Sequence, residues 1–294
     1  MPMIRRPVVA IAAARAVFAV AGMLLALAVA APAAAATPPS TPTLAREDTM
    51  YTSVPEVLVS APRVTLDEIL DRIARGERRR DSLLVDQSFI ATMRVMHAKN
   101  DDAPAELLEE TVSQVYRRKP DQARTLLLRR TLGKPEKKKP KAGVQVNFRA
   151  DMSEEVVNFA FRPESRRQFR YHIEGRDIIG GHVIYRIRFE PRSLLDPTAP
   201  GGLVWVDTND FVILRQELEF SRSPIPLILK NIDRMIIERQ RVGDFWVLHK
   251  VLMRAHFTIP LPQVGKRMDM SLLYDHYALN SGLPDSVFTS MGQP

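Results

Sequence analysis

The chain contains no cysteine at all. That excludes thiol nucleophiles, thiolate metal sites, disulfide staples and lipid attachment through an N-terminal cysteine. Catalytic signatures are missing too: there is no His-Glu-x-x-His, no Gly-x-Ser-x-Gly and no glycine loop built to cradle phosphate. The six histidines are scattered over the chain, and His249 and His256 fall on opposite faces of one strand by parity. No motif asks for a cofactor or a metal. Acidic residues are absent before Glu47, and no second long apolar run follows the first.

What the first thirty-six residues do contain is ordered. Arg5, Arg6 and Arg15 give a basic start, Ala16 to Ala30 is an apolar run, and Ala31-Pro32-Ala33-Ala34-Ala35-Ala36 offers small-residue cleavage sites. This is the order of a secretory signal peptide, cut near Ala36; the alternative is a retained N-terminal membrane anchor, for which the run is short of the ~20 residues a span needs. Residues 37–62 hold Pro38, Pro39, Pro42, Pro55 and Pro62 among many Ser and Thr, the composition of a flexible tether. Residues 63–294 remain for a single β domain, stabilised by core burial since no disulfide is available. The formal charge of +8 becomes +5 without the three signal arginines. Lys134 to Lys141 carries five lysines and one glutamate; it reads as a solvated loop, or as a peripheral contact with an anionic membrane surface. Export turns this charge away from nucleic acid as a partner.

Two periodicities organise the domain. Thr65 and Glu68 form a capping box, and Leu66, Ile69, Leu70 and Ile73 recur at helical spacing, which predicts one amphipathic helix over 65–80 with Arg78-Arg79-Arg80 at its end. From Ser88 the period is two. Phe89, Ala91, Met93 and Val95 alternate with more polar residues, as do Val144 to Phe148, Phe169 to Ile173 and Val183 to Phe189. Val212, Leu214, Leu218 and Phe220, then Phe245 to Phe257, then Met268 to Tyr274 continue the pattern, with turn signals at Gly175, Gly180-Gly181, Gly201-Gly202 and Gly243. The fold class is therefore mainly β with few helices: a strongly curved antiparallel sheet, apolar on one face, with an N-terminal amphipathic helix.

The last hairpin predicts its own register. With the turn near Ile259-Pro260-Leu261-Pro262, Phe257 faces Met268, Ala255 faces Met270, Met253 faces Leu272, Val251 faces Tyr274, and His249 faces His276 on the apolar side. Such a histidine pair shares a hydrogen bond or, less simply, binds a ligand headgroup. Pro224 to Leu229 and Ile259 to Pro262 are two apolar loops, read as plugs for a barrel end or as a ligand-lined mouth. In Met152 to Phe161, Ser153 caps a lid-like helix, or Val157, Phe159 and Phe161 alternate as a strand. Glu217 and Glu219 share a strand face and read as solvation of a wet surface.

The order of these pieces resembles the LolA/LolB lipoprotein-carrier superfamily and its outer-membrane lipoprotein-sorting relatives. The segments that carry the resemblance are Val115-Tyr116-Arg117-Arg118-Lys119-Pro120-Asp121, Tyr171-His172-Ile173, Val183 to Ile187, Gly202-Leu203-Val204-Trp205-Val206-Asp207, Ile213 to Glu217, Gly243-Asp244-Phe245-Trp246 and Leu283-Pro284-Asp285-Ser286-Val287-Phe288. The resemblance implies a half-open barrel, closed by helices, whose concave apolar face holds acyl chains. It implies a lid latch at Lys119, where the family has an arginine; lysine keeps the charge and loses the bidentate fork. The leading functional reading is a periplasmic, non-enzymatic carrier or sensor that binds a lipid or lipoprotein acyl chain, lined by Phe89, Met93, Val95, Val247, Val251, Met253, Leu272 and Tyr274. Burying acyl methylenes stabilises a complex by about 0.8 kcal/mol each without any polar motif. The alternatives are an envelope protein-interaction module with a filled core and a hydrolase with an unrecognised site.

Overall fold

The computed structural model describes residues 64–133, 155–193, 199–223, 229–261 and 264–289. The signal segment, the tether, the lysine run, the alternation at Val144 to Phe148, Ser153 and Pro224 to Ile228 lie outside the described residues. Helix α1 spans Leu66–Leu83, three residues beyond the predicted end. Its start is the one read from the sequence: Thr65 Oγ1 accepts the Glu68 N–H at 3.2 Å, and Ile69, Leu70 and Ile73 are buried. Capping of this kind stabilises a helix by about 1 kcal/mol; the buried stripe then decides where it docks.

Ten strands follow among the described residues: β1 Asp86–Ala98, β2 Glu106–Arg118, β3 Gln122–Leu132, β4 Phe169–Ile179, β5 His182–Pro191, β6 Gly201–Asp207, β7 Ile213–Glu219, β8 Leu229–Val242, β9 Phe245–Leu261 and β10 Gly265–Leu279. One helical turn, α2 Glu155–Asn158, precedes β4. The strands form one antiparallel sheet in the order β3-β2-β1-β10-β9-β8-β7-β6-β5-β4. The edges β3 and β4 do not pair with each other, so the sheet is open. It is nevertheless curled round α1. Lys119, just past β2, meets Asp81 of the helix at 3.0 Å, while β4 residues Phe169 and Tyr171 share a cleft with Leu66 and Leu70. A flat sheet would separate β2 from β4 by about 38 Å at about 4.8 Å per strand, whereas the helix is about 27 Å long.

Glycines mark two kinds of place. Gly180-Gly181, at φ 58° and 81°, make a two-residue turn between Ile179 and His182, and Gly243 at φ 58° does the same between Val242 and Phe245. These conformations favour glycine because it lacks a Cβ. The other two signals do not mark turns. Gly175 follows a bulge inside β4, opposite Arg186, and Gly201-Gly202 open β6.

The final hairpin corrects the predicted register. Met268 pairs with Ala255, Met270 with Met253 and Leu272 with Val251. A single β10 residue, Lys266, lies opposite Phe257 to Pro260, because the ladder absorbs the proline by bulging β9. The displacement of these three pairs is even, so their side chains keep the predicted face. The histidine pair does not survive it. His249 sits at a β9 bulge between Leu248 and Lys250, and His276 has φ 52° in a β10 bulge against β1. The His276 side chain is 79% exposed and hydrogen-bonds Asp275. Tyr277 takes the inward place instead, stacking on Phe89 at 5.0 Å and donating to the Leu248 carbonyl at 2.6 Å. Ile259 belongs to β9 and is exposed, so it plugs nothing.

Candidate functional site

Seven of the eight residues predicted to line an apolar cavity are brought onto one face; Val247 lies beyond the His249 bulge and outside that cluster. Phe89, Met93, Val95, Val247, Val251, Met253, Leu272 and Tyr274 are each at most 4% exposed. Met93 pairs with Leu272, Leu272 with Val251, and the Phe89 and Tyr274 rings meet edge to face at 5.5 Å. The same core takes Ile69, Leu70 and Ile73 from α1, and Val157, Phe159, Ala160 and Phe161 from the α2 segment. That segment is one helical turn followed by turns, not the longer lid helix or the strand the sequence left open. The opposite face is wet and ion-paired: Arg94 and Arg129 bind Glu110 at 2.7 and 3.0 Å, and Glu217 pairs with Arg215 at 2.6 Å. Glu219 lies 3.3 Å from Arg188, which makes both acids the surface solvation groups they were read as.

How α1 is fastened is what the sequence did not disclose. Gly76 lets the helix lie against the β6–β7 turn, since a Cβ there would stand 2.4 Å from the Asp210 carbonyl oxygen and 2.5 Å from that of Phe211. One residue on, Glu77 is 3% exposed. Its Oε1 accepts from Arg239 Nη1 of β8 at 2.6 Å and from the Ile213 N–H of β7 at 2.8 Å. Its Oε2 lies 3.5 Å from Arg80 Nε, and Arg80 donates onward to the Trp246 carbonyl at 3.1 Å. For a carboxylate buried between two guanidiniums and an amide, the cost of burial is offset by these partners and returns when one is removed. Arg80, read as a cation complementing the helix dipole, is therefore a member of a buried ion triad. Lys119 adds an exposed contact, its Nζ reaching the Asp81 carbonyl and, at 3.0 Å, its carboxylate. All of these fastenings hold the C-terminal half of α1. The N-terminal half borders an open cleft of 510 Å³ against β4.

Gln216 is a second feature the alternation concealed. It lies on β7 between Val204 and Ile237, is 0% exposed, and neither its Oε1 nor its Nε2 has a hydrogen-bond partner among the described residues. A buried amide left so costs about 1–3 kcal/mol. The signal was present: Gln216 interrupts the apolar parity of Val212, Leu214, Leu218 and Phe220.

Among the described residues no three His, Asp or Glu side chains gather as metal ligands. His256 sits between two carboxylates, Asp101 at 2.6 Å and Asp233 at 2.7 Å on opposite ring nitrogens, a clamp joining the β1–β2 turn to β8 and β9. Among the described residues no helix is long and apolar enough to cross a membrane.

No family model and no curated protein matches the chain. Solved structures similar to it include a DUF1329 family protein from Desulfovibrio piger, 11% identical, covering 76% of this chain and 97% of that one at a TM-score of 0.35. A putative outer membrane lipoprotein-sorting protein domain from Vibrio parahaemolyticus is 13% identical, covering 74% and 97% at 0.33. A LolA superfamily protein from Nitrosomonas europaea is 14% identical, covering 77% and 98% at 0.30. The chain is thus similar to LolA-like and lipoprotein-sorting structures at identities of 11–14%, where the role of a residue does not carry across.

Proposed function

We propose that this protein is a non-enzymatic carrier or sensor that binds the acyl chain of a lipid or lipoprotein against the inner face of its sheet. The observation that carries the reading is the asymmetry of α1. This helix roofs part of the apolar face, is bolted at one end by Glu77, Arg80 and Lys119, and at the other borders a cleft whose wall includes the core residues Leu70 and Phe169. A roof held by buried charges at one end and, at the other, by the Arg166 pairs with Asp67 and Asp71 beside an open cleft suits a ligand that enters lengthwise. Export to the periplasm, with residues 1–36 removed as a signal peptide, and the latch role of Lys119 belong to the same proposal. Transfer there runs on differential affinity alone, since no nucleotide is at hand. Native mass spectrometry of protein extracted gently from the envelope fraction tests it: adducts with the masses of acyl lipids are expected, and a chain that never carries one defeats the reading.

A second reading, a filled core serving an envelope protein-interaction module, is favoured by one observation. Edge strand β3 exposes Leu126, Leu127 and Leu128, with Leu127 at 59%. Met253→Trp separates the two. Tryptophan in a filled core overpacks it and costs about 1–3 kcal/mol; over a ligand-holding face it leaves stability intact and removes the ligand.

A further inference from the structure

The cleft at the N-terminal end of α1 has a chemistry of its own. Its apolar wall is Leu66 and Leu70 of the helix with Phe169 and Tyr171 of β4. Leu70 and Phe169 are core members, and Leu66 and Tyr171 pack against that core, so an alkyl chain laid on them continues the inner face. At 510 Å³ the cleft has the size of a small-molecule site. Three arginines, Arg166, Arg167 and Arg192, also line it. Arg166 is occupied, held by Asp67 at 2.9 Å and by Asp71; this also neutralises Asp67, the one carboxylate in the lining.

Arg167 and Arg192 form no ion pair among the described residues, and both are exposed. Arg192 is also held in place. Its N–H donates to the Gln168 carbonyl at 2.7 Å and its Nε to the Phe169 carbonyl at 2.9 Å, which leaves the terminal amino groups of the fork for another acceptor. The nearby phenol answers to this field. Burial pushes the Tyr171 hydroxyl well up, while the charges of Arg166 and Arg192 pull it back, and its proton is spent on the Ala160 carbonyl. Tyr171 is therefore a neutral wall and not a competing anion.

Building on the acyl-chain reading above, we infer that the ligand is an anionic amphiphile. Its carboxylate or phosphate head is bound by Arg167 and Arg192 at the cleft mouth, with its chain running over Leu66, Leu70 and Phe169 toward the inner face. Guanidinium forks match both head groups bidentately, and an apolar wall beneath them excludes water from the pair.

Calorimetric titration of the full chain with palmitate, with hexadecanol of the same chain length, and with inorganic phosphate tests this. Palmitate is expected to bind at least tenfold more tightly than hexadecanol, and Arg167→Gln with Arg192→Gln to erase that difference while leaving hexadecanol unchanged. Arg170→Gln, an exposed arginine outside the cleft, should leave all three titrations as they are. Equal affinity for palmitate and hexadecanol in the unsubstituted protein overturns the charged-head inference and leaves the acyl-chain reading standing. Binding of neither overturns both. Phosphate binding lost in the double variant, with no amphiphile bound, overturns the amphiphile in favour of a plain anion site. Unchanged melting of the double variant by circular dichroism shows that a lost titration reflects the cleft.

Discussion

Replacing Glu77 by alanine should be the most damaging single change to the fastening of α1. Three interactions end at this carboxylate: Arg239 Nη1 at 2.6 Å, the Ile213 N–H at 2.8 Å and Arg80 Nε at 3.5 Å. The side chains of Arg239 and Arg80 are 0% and 5% exposed, so neither cation can turn to water when its anion is removed. Stranding a buried charge by deleting its partner costs about 3–5 kcal/mol. The unsatisfied amide of Ile213 would add about 1–3 kcal/mol if it stood alone, but groups sharing one network do not add, and about 4 kcal/mol is the expected total. Against the 5–15 kcal/mol typical of a folded domain, as an order of magnitude, that is a large share. Urea unfolding followed by far-ultraviolet circular dichroism reads it directly; with a slope of about 2 kcal/mol/M the midpoint should fall by roughly 2 M. Indole fluorescence is a second probe, because Arg80 donates to the Trp246 carbonyl. The companion variant replaces the whole triad, Glu77→Leu with Arg80→Met and Arg239→Met, and should recover to within about 1 kcal/mol of the starting protein, since apolar residues of similar volume need no partners. A loss below about 1 kcal/mol for Glu77→Ala, or a triple variant as unstable as the single one, would show that these charges are solvated in solution and do not fasten the helix.

Gly76→Ala should destabilise, against the ~1 kcal/mol that alanine ordinarily gains in a helix, because its Cβ would stand 2.4 Å from a backbone oxygen; thermal melting decides the sign. Gln216→Leu removes an unpartnered amide and should raise stability by about 1–3 kcal/mol, read as a rise in melting temperature. Lys119→Ala breaks an exposed pair and should cost under about 1 kcal/mol, yet speed amide hydrogen exchange over the last turn of α1. Tyr171, its folded-state ionisation raised by burial, should contribute stability fully present below pH ~10 and lost as pH climbs from there toward the raised value. Tyr171→Phe should flatten that alkaline limb of the stability profile.

Alternation disclosed the faces of β1, β5, β9 and β10, because one buried side enforces a period of two. It missed four strands: β2 and β6 enter only through segments that carry the family resemblance, and β3 and β8 were missed for two separate reasons. The Leu126-Leu127-Leu128-Arg129-Arg130 run of β3 sits at an exposed edge where nothing enforces a period, and β8 is bulged in two places, at Lys230 and Asp233, which scrambles its parity. Hairpin register lay beyond reach for a related reason, since how many residues Pro260 forces out of the ladder is settled by tertiary contacts. Of the candidate site, seven of the eight apolar residues share the face that alternation gave them, and Val247 does not, because the His249 bulge reverses its parity. The triad was not legible: Glu77 stands in Gly-Glu-Arg-Arg-Arg, which reads as a solvated charge run until β8 supplies Arg239. The cleft was equally hidden, as α1 and β4 are far apart in sequence.

The strand order also governs when this molecule can fold. Strands β4 to β10 each pair with their neighbour in sequence, so that half can zip hairpin by hairpin. The first three strands also pair in sequence, β1 with β2 and β2 with β3, but this meander joins the other seven strands only where β1 meets β10, with nearly the whole domain between them. Such late, distant pairing is slow. Until residue 279 has emerged the β1–β3 meander has no junction with the rest of the sheet, so the ten-stranded sheet is completed only at the end of synthesis, and a truncation short of β10 strands three strands at once.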